Sequence, residues 1–343
     1  MAIFVSHVSA LRMLMSPRLS SLVRHARLAD DADLALESEP SAVDDGVSRL
    51  CVLLGITAAE LGRLDLIVGR GTSRRSTSKV RYHSWSGPMP HGGFLRVAEG
   101  IYLSTPEFCF LQLAGSLPMI DLLLLGMALC GSYFPADTER GFVDGSPTTS
   151  VSKLTAFLAD AKRCKGVDRA RSATAHLVDG ARSPMESSLL LVLTLPRTMG
   201  GFGLAKPTLN GMVRLSDGAR AIFGYPILRP DLLFPGAMLV IEYLGRAFHK
   251  DPERDIRREL ALRHDGFDVQ FVSIGQIMDS RQLYEIVKRV ASATGKKMRP
   301  ASAAIVAKRF ALIDRLIPKR ENILDGECLR YERTWWALPK CLA

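Results

Sequence analysis

Between Arg229 and Gly245 the chain reads RPDLLFPGAMLVIEYLG, two apolar runs joined by Pro235-Gly236, each run carrying one acid. Apolar runs of this length with a Pro-Gly break specify two strands and a tight turn. Side chains alternate between the faces of a strand. With Pro235 and Gly236 as the turn, Phe234 pairs with Ala237 and Asp231 with Val240. Glu242 then shares a face with Asp231 as its diagonal neighbour, about 7–8 Å away. A loop one residue longer reverses that facing. Two like charges in apolar surroundings are costly without a proton or a cation. Hard oxygen ligands suit Mg2+, with Mn2+ as a substitute. The competing arrangement puts both acids at the sheet rim, paired with Arg229, Arg246 or Arg258.

The flanking sequence gives further elements. RSPMESSLLLVLTLP begins a helix, with Ser183 as cap, Pro184 in the first turn and Glu186 at capping-box spacing. RTMGGFGLAKPTLN is a glycine-punctuated loop without phosphate-loop spacing. NGMVRLSD and RAIFGYPI read as strands. After Gly245 come a loop, a helix with Asp255, Arg258 and Leu262 at i, i+3 and i+7, a strand FDVQFVSI, and a helix capped by Asp279 or Ser280.

Upstream, residues 1–66 read as helical with breaks, and AAELGRL after Thr57 makes a candidate helix-turn-helix. Residues 67–150 mix strands with helices, one of them opened by Ser104 and Pro106. The turn formers of PADTERGFVDGSPTTS place the main boundary near 150, so the expected second domain runs 151–294, followed by a basic helical tail, 295–343.

The chain has 343 residues and a net charge of +10, which points to acidic partners, nucleic acid first. Residues 295–343 hold eleven Lys and Arg against five Asp and Glu. Arg74, Arg75 and Lys79 in a first basic cluster, Lys250 and Arg258 near the acids, and Lys296 and Lys297 in the tail are the candidate phosphate contacts. RYERTWW at the end offers Trp335 and Trp336 for stacking on bases or docking on the core. The six cysteines lack C-x-x-C spacing, which argues against a zinc site. The apolar run MIDLLLLGMALCG contains Asp121 and is too short for a bilayer. With no secretory signal legible, the expected location is the cytoplasm, with no membrane partner.

The order helix with Glu186, strand with Asp231, strand with Glu242-x-x-Gly245, then His249, a helix with D-x-x-R-x-x-x-L and a strand resembles the PD-(D/E)XK nuclease superfamily, in its very short patch repair-like branch. The resemblance covers about residues 180–290. The segments STPEFCFLQLA and LLLLGMALCGSYF resemble AbiEi-type antitoxin proteins. These resemblances imply an α/β fold: a restriction-endonuclease-like αβββαβ core with a mixed sheet, preceded by a smaller helical or α+β domain. They imply Asp231 and Glu242 as Mg2+ ligands, Glu186 as the helix acid beside them and His249 as a further catalytic group. DNA would be the substrate, and a toxin protein a candidate partner. The pattern departs at Leu244, where relatives carry Asp or Lys; leucine neither binds metal nor activates water. Set against that departure, the resemblance implies a metal-dependent endonuclease. The alternatives are an inactive nuclease fold in a DNA-binding, antitoxin-like regulator, or a basic protein-interaction scaffold.

Overall fold

A computed structural model describes residues 2–17, 23, 25–29, 40–69, 75–136, 138, 140–245, 252–317, 319–320 and 329–330. The chain forms two compact units that divide between Leu177 and Val178. Both are mixed α/β. No described helix is long and apolar enough to cross a membrane.

The first unit is built on a six-stranded sheet. Its strands are β1 (Ile3–Val5), β2 (Arg27–Leu28), β3 (Leu64–Val68), β4 (Val80–Ser84), β5 (Phe94–Ala98) and β6 (Ile101–Ser104), in the order β2-β5-β6-β1-β3-β4. The N-terminal stretch is helical over His7–Met15 and Pro40–Leu54, as its spacing predicts, but it also supplies strands to this sheet. Ile3, Phe4 and Val5 are fully buried between β6, parallel, and β3, antiparallel. Three apolar residues are too few to show a period, which is why the strand is illegible in sequence. The candidate helix-turn-helix reduces to a long helix, Pro40–Leu54, and a single turn, Ala58–Leu61, closed by a Thr57–Glu60 capping box. One turn has too little length to serve as a groove-reading helix.

The expected boundary near 150 moves to 177. The turn formers of 135–150 make a small ribbon, β7 (Tyr133–Pro135) with β8 (Phe142–Asp144). Beyond it, helices Val151–Asp160 and Val167–Thr174 pack on helices Pro106–Ala114 and Met119–Leu129. Leu177 lies so close to Gly126 that a Cβ there would meet its methyl at 2.5 Å. Thr105, not Ser104, caps the helix Pro106–Ala114, because Ser104 completes β6 and accepts the Gln112 amide at 3.1 Å.

In the second unit, helix Pro184–Thr194 precedes β9 (Thr208–Leu209), β10 (Val213–Arg214), helix Asp217–Phe223 and β11 (Ile227–Leu228). Then come β12 (Leu232–Phe234), β13 (Leu239–Leu244), helix Pro252–His264 and β14 (Asp268–Ser273). The sheet order is β14-β13-β12-β9, with β9, β12 and β13 antiparallel and β14 parallel to β13. RAIFGYPI is not a strand: its first half is helical. Ser216 caps that helix, Ala219 and Phe223 bury one face, and Gly224 ends it at φ +90°.

The basic tail is in part integral to this unit. Helix Ala303–Leu316 buries Leu312, Ile313 and Leu316, and Ser188 Oγ donates to Leu316 O at 2.9 Å. Trp335 and Trp336 lie outside the described residues. The tail helix reaches the glycine-rich loop, where Gly200 adopts φ +96° and a Cβ would meet Lys308 O at 2.5 Å. At Gly201 a Cβ would meet Leu195 O at 2.1 Å. Both contacts are with backbone, which cannot rotate away. Gly201→Ala should therefore destabilise the unit by about 2–4 kcal/mol, read as a lower urea midpoint at unchanged slope.

Candidate carboxylate site

Glu186, Asp231 and Glu242 come together at one end of the second sheet. The helix Pro184–Thr194 brings Glu186 in its first turn. Strands β12 and β13 bring the other two, but the register differs from the expected one. Phe234 pairs with Leu239, Leu233 with Val240 and Leu232 with Ile241. The turn has four residues, Pro235 to Met238, and Met238 closes it at φ +47°. Two extra residues preserve the relative facing. They move Asp231 from a diagonal position to one directly across from Glu242, just past the last ladder pair.

Each carboxylate is fixed by neighbours. Pro230 offers β13 no regular continuation, and Asp231 Oδ2 instead accepts the Tyr243 N–H at 2.8 Å. Glu242 Oε1 accepts from Arg258 Nε at 3.0 Å and Nη2 at 2.8 Å. Arg258 also donates to Arg229 O. Glu186 breaks the capping-box expectation: Ser183 Oγ accepts its N–H, but its carboxylate turns to the site. There Glu186 Oε2 accepts the Arg182 N–H at 2.9 Å and Asn210 Nδ2 at 2.6 Å.

The electrostatics follow from burial. Glu186 and Glu242 are 6% and 8% exposed. Burial first, then the charge of Asp231, pushes Glu186 up to about 7 and Glu242 to about 8, the latter against the pull of Arg258. Asp231 is also raised by burial, although the Tyr243 N–H and the charges of Arg258 and Arg182 oppose this. Asp65 in the first unit makes the useful contrast. Burial raises it too, but the hydrogen bonds from His83 (2.8 Å) and Ser9 (3.1 Å) outweigh that and hold it below the ordinary carboxylate range. A buried acid with enough donors stays ionised; the trio in the second unit has too few.

An oxygen-only donor set of this kind fits a hard cation such as Mg2+ better than zinc or copper. The side chains are not closed around one: among the described residues, no group of three His, Cys, Asp or Glu is placed to hold a metal ion. Both Arg258 contacts fall on Oε1, so the ion pair occupies one of the two Glu242 oxygens.

Several expected residues lie elsewhere. His249 and Lys250 are outside the described residues, as are Arg246 and Arg74. Arg75 and Lys79 belong to the first unit. Lys296 and Lys297 line a separate basic cavity of the second unit. Arg258 faces the acids rather than standing free. Leu244 is partly buried, two residues beyond Glu242 on β13.

Asn210 is the contributor that sequence reasoning missed. At φ +49° its backbone N–H continues the β9 ladder to Asp231 O at 3.0 Å, while its amide bridges Gly180 O and Glu186. The signal was present in Asn210-Gly211, since Asn tolerates the left-handed region better than other non-glycine residues.

Comparison with known proteins gives no match to any family model, curated protein or solved structure.

The raised acids set a pH dependence. Between the ordinary glutamate value, 4.5, and about 7–8, the folded unit binds more protons than the unfolded chain. Its stability therefore falls as pH rises through that window, and is greatest below it. Glu186→Gln keeps an oxygen acceptor and removes the charge. It should leave stability near pH 4.5 unchanged and raise it at pH 8.5 by on the order of 2 kcal/mol, in denaturant titrations with EDTA.

Proposed function

We propose that the second unit is a PD-(D/E)XK-type, Mg2+-dependent endonuclease-like domain acting on DNA. The observation that carries the reading is the convergence of Glu186, Asp231 and Glu242, from one helix and two adjacent strands, with too few donors to keep all three ionised. The order of helix, three antiparallel sheet strands with a ribbon and helix inserted after the first, helix and parallel strand supports it. So does the basic balance of the chain.

In this reading Asp231 and Glu242 hold the cation. A cation held there would supply Lewis acidity toward a phosphodiester oxygen and a bound water. The Tyr243 N–H orients Asp231, and Arg258 orients Glu242 from the helix Pro252–His264. Glu186, poised near neutrality, takes up the proton that a lysine at position 244 would otherwise help to manage.

The second reading is a non-catalytic DNA-binding regulator, antitoxin-like, with a protein partner. Two observations favour it: Leu244 in the place of a charged residue, and the Arg258–Glu242 ion pair, which does without a cation.

Supercoiled, linear and single-stranded DNA incubated with Mg2+, Mn2+ or EDTA separates the two. The endonuclease reading expects metal-dependent nicking that falls at least about 100-fold in Asp231→Asn and Glu242→Gln, and that rises in Leu244→Lys. Salt-sensitive binding without cleavage supports the regulator. Absence of both sinks both. A metal-specific readout needs no turnover: Mg2+ should raise the melting temperature of the wild type at pH 8, where the acids ionise, and not at pH 5.

A further inference from the structure

At the far end of the helix that carries Glu186, the second unit has a cavity of about 540 Å³. Its wall includes Arg197, Lys296, Lys297, Arg299 and Arg309. It holds no carboxylate, and among the described residues none of these five cations is in an ion pair. Two are held in place. Arg197 donates to Pro300 O, and Arg309 Nε donates to Gly200 O at 3.2 Å. The Arg309 guanidinium carbon lies over the Phe202 ring, 3.7 Å from its centroid. Burial, then the charge of Arg197, makes Arg309 a weaker base than an exposed arginine. Cations gathered this closely repel one another, and an anion relieves the repulsion.

The cavity offers more than charge. Tyr284 lines it as well and is 47% exposed. The Phe202–Arg309 stack forms a second flat surface. Nucleic-acid bases stack on aromatic rings and on guanidinium planes, which the side chains of Asp and Glu do not match. The volume is in the range that holds a small ligand, roughly 300–1,000 Å³.

We propose that this cavity binds a nucleotide step of a nucleic-acid strand, with phosphate on Lys296, Lys297, Arg299 and Arg197, and base against Tyr284 and the Phe202–Arg309 stack. The site lies beyond the carboxylate trio and does not depend on it. Glu186 stands in the first turn of the helix Pro184–Thr194 and Arg197 just past its end, roughly 15 Å along the axis. That separation is four or five steps of a duplex at about 3.4 Å each.

The test is fluorescence anisotropy with a labelled single-stranded oligonucleotide in EDTA, so that binding is read without cleavage. The double variant Lys296→Ala/Lys297→Ala should bind at least about tenfold more weakly, with a salt slope shallower by about 1.4. Tyr284→Ala should weaken binding about five- to a hundredfold at unchanged slope. Both changes are at surface side chains, and unaltered melting temperatures will establish that the variants are folded. Because binding is read in EDTA, its outcome does not depend on whether the protein cleaves DNA. Wild-type affinity and slope in the lysine double variant overturn the proposal. So does equal competition by polyglutamate of matched charge. Loss of affinity in the lysine variant with none in Tyr284→Ala overturns the base-stacking half and leaves an anion site only.

Discussion

The guanidinium of Arg258 is the cation paired with the buried carboxylates of the second unit. Arg258 pairs with Glu242, covers the Arg229 carbonyl and, from the helix Pro252–His264, ties that helix to the ends of β12 and β13. One turn further on, Leu262 is fully buried in the core beneath. The ion pair and the apolar contact thus fix the same helix at two heights. Buried ion pairs add little net stability, but removing one partner leaves a charge without compensation. Placement of the helix, orientation of Glu242 and ionisation of the trio are therefore one coupled arrangement.

The two units treat buried acid differently. In the first, Asp65 has His83 and Ser9 as donors, and the His7 ring stacks on His83 at 3.7 Å. That network neutralises a charge inside an otherwise apolar core. In the second, the donors reaching the trio include the Arg182 and Tyr243 N–H groups, the Asn210 amide and the Arg258 guanidinium, and burial still raises all three acids. A fold that only needed to be stable would gain by replacing such residues with amides or apolar groups. The surplus of acid is what sets the site apart from structural polar burial.

Much of the second unit was legible because its signals are local. The apolar runs around Asp231 and Glu242, the Ser183–Pro184 helix start and the Asp279 cap all specify their own elements. The shared face of Asp231 and Glu242 was legible as well, since it depends on the parity of the turn. The exact pairing was not, because Pro235-Gly236 is compatible with both a two-residue turn and the four-residue one that Met238 closes. Tertiary terms hid the rest. β1 is a strand because β3 and β6 flank it, and nothing in Ile3-Phe4-Val5 says so. The helix Asp217–Phe223 was obscured by its β-branched and aromatic neighbours, although Ser216 and Gly224 bracket it with ordinary caps. Asn210 carries its role through three partners distant in sequence, which no local pattern encodes.

Asn210 has one more consequence, which is chemical rather than conformational. It precedes Gly211, and an asparagine before glycine is the arrangement in which the following backbone nitrogen most readily attacks the side-chain amide. Hydrolysis of the resulting imide turns Asn210 into aspartate or isoaspartate. The amide now held between Gly180 O and Glu186 slows that reaction by restraining the side chain. Once it occurs, a donor to Glu186 becomes a fourth carboxyl group beside it, and the isoaspartate form adds a backbone atom at the junction with Asp231. The same hydrogen bonds that assemble the site thus also set its chemical lifetime, and ageing of the protein would be felt first where its acids converge.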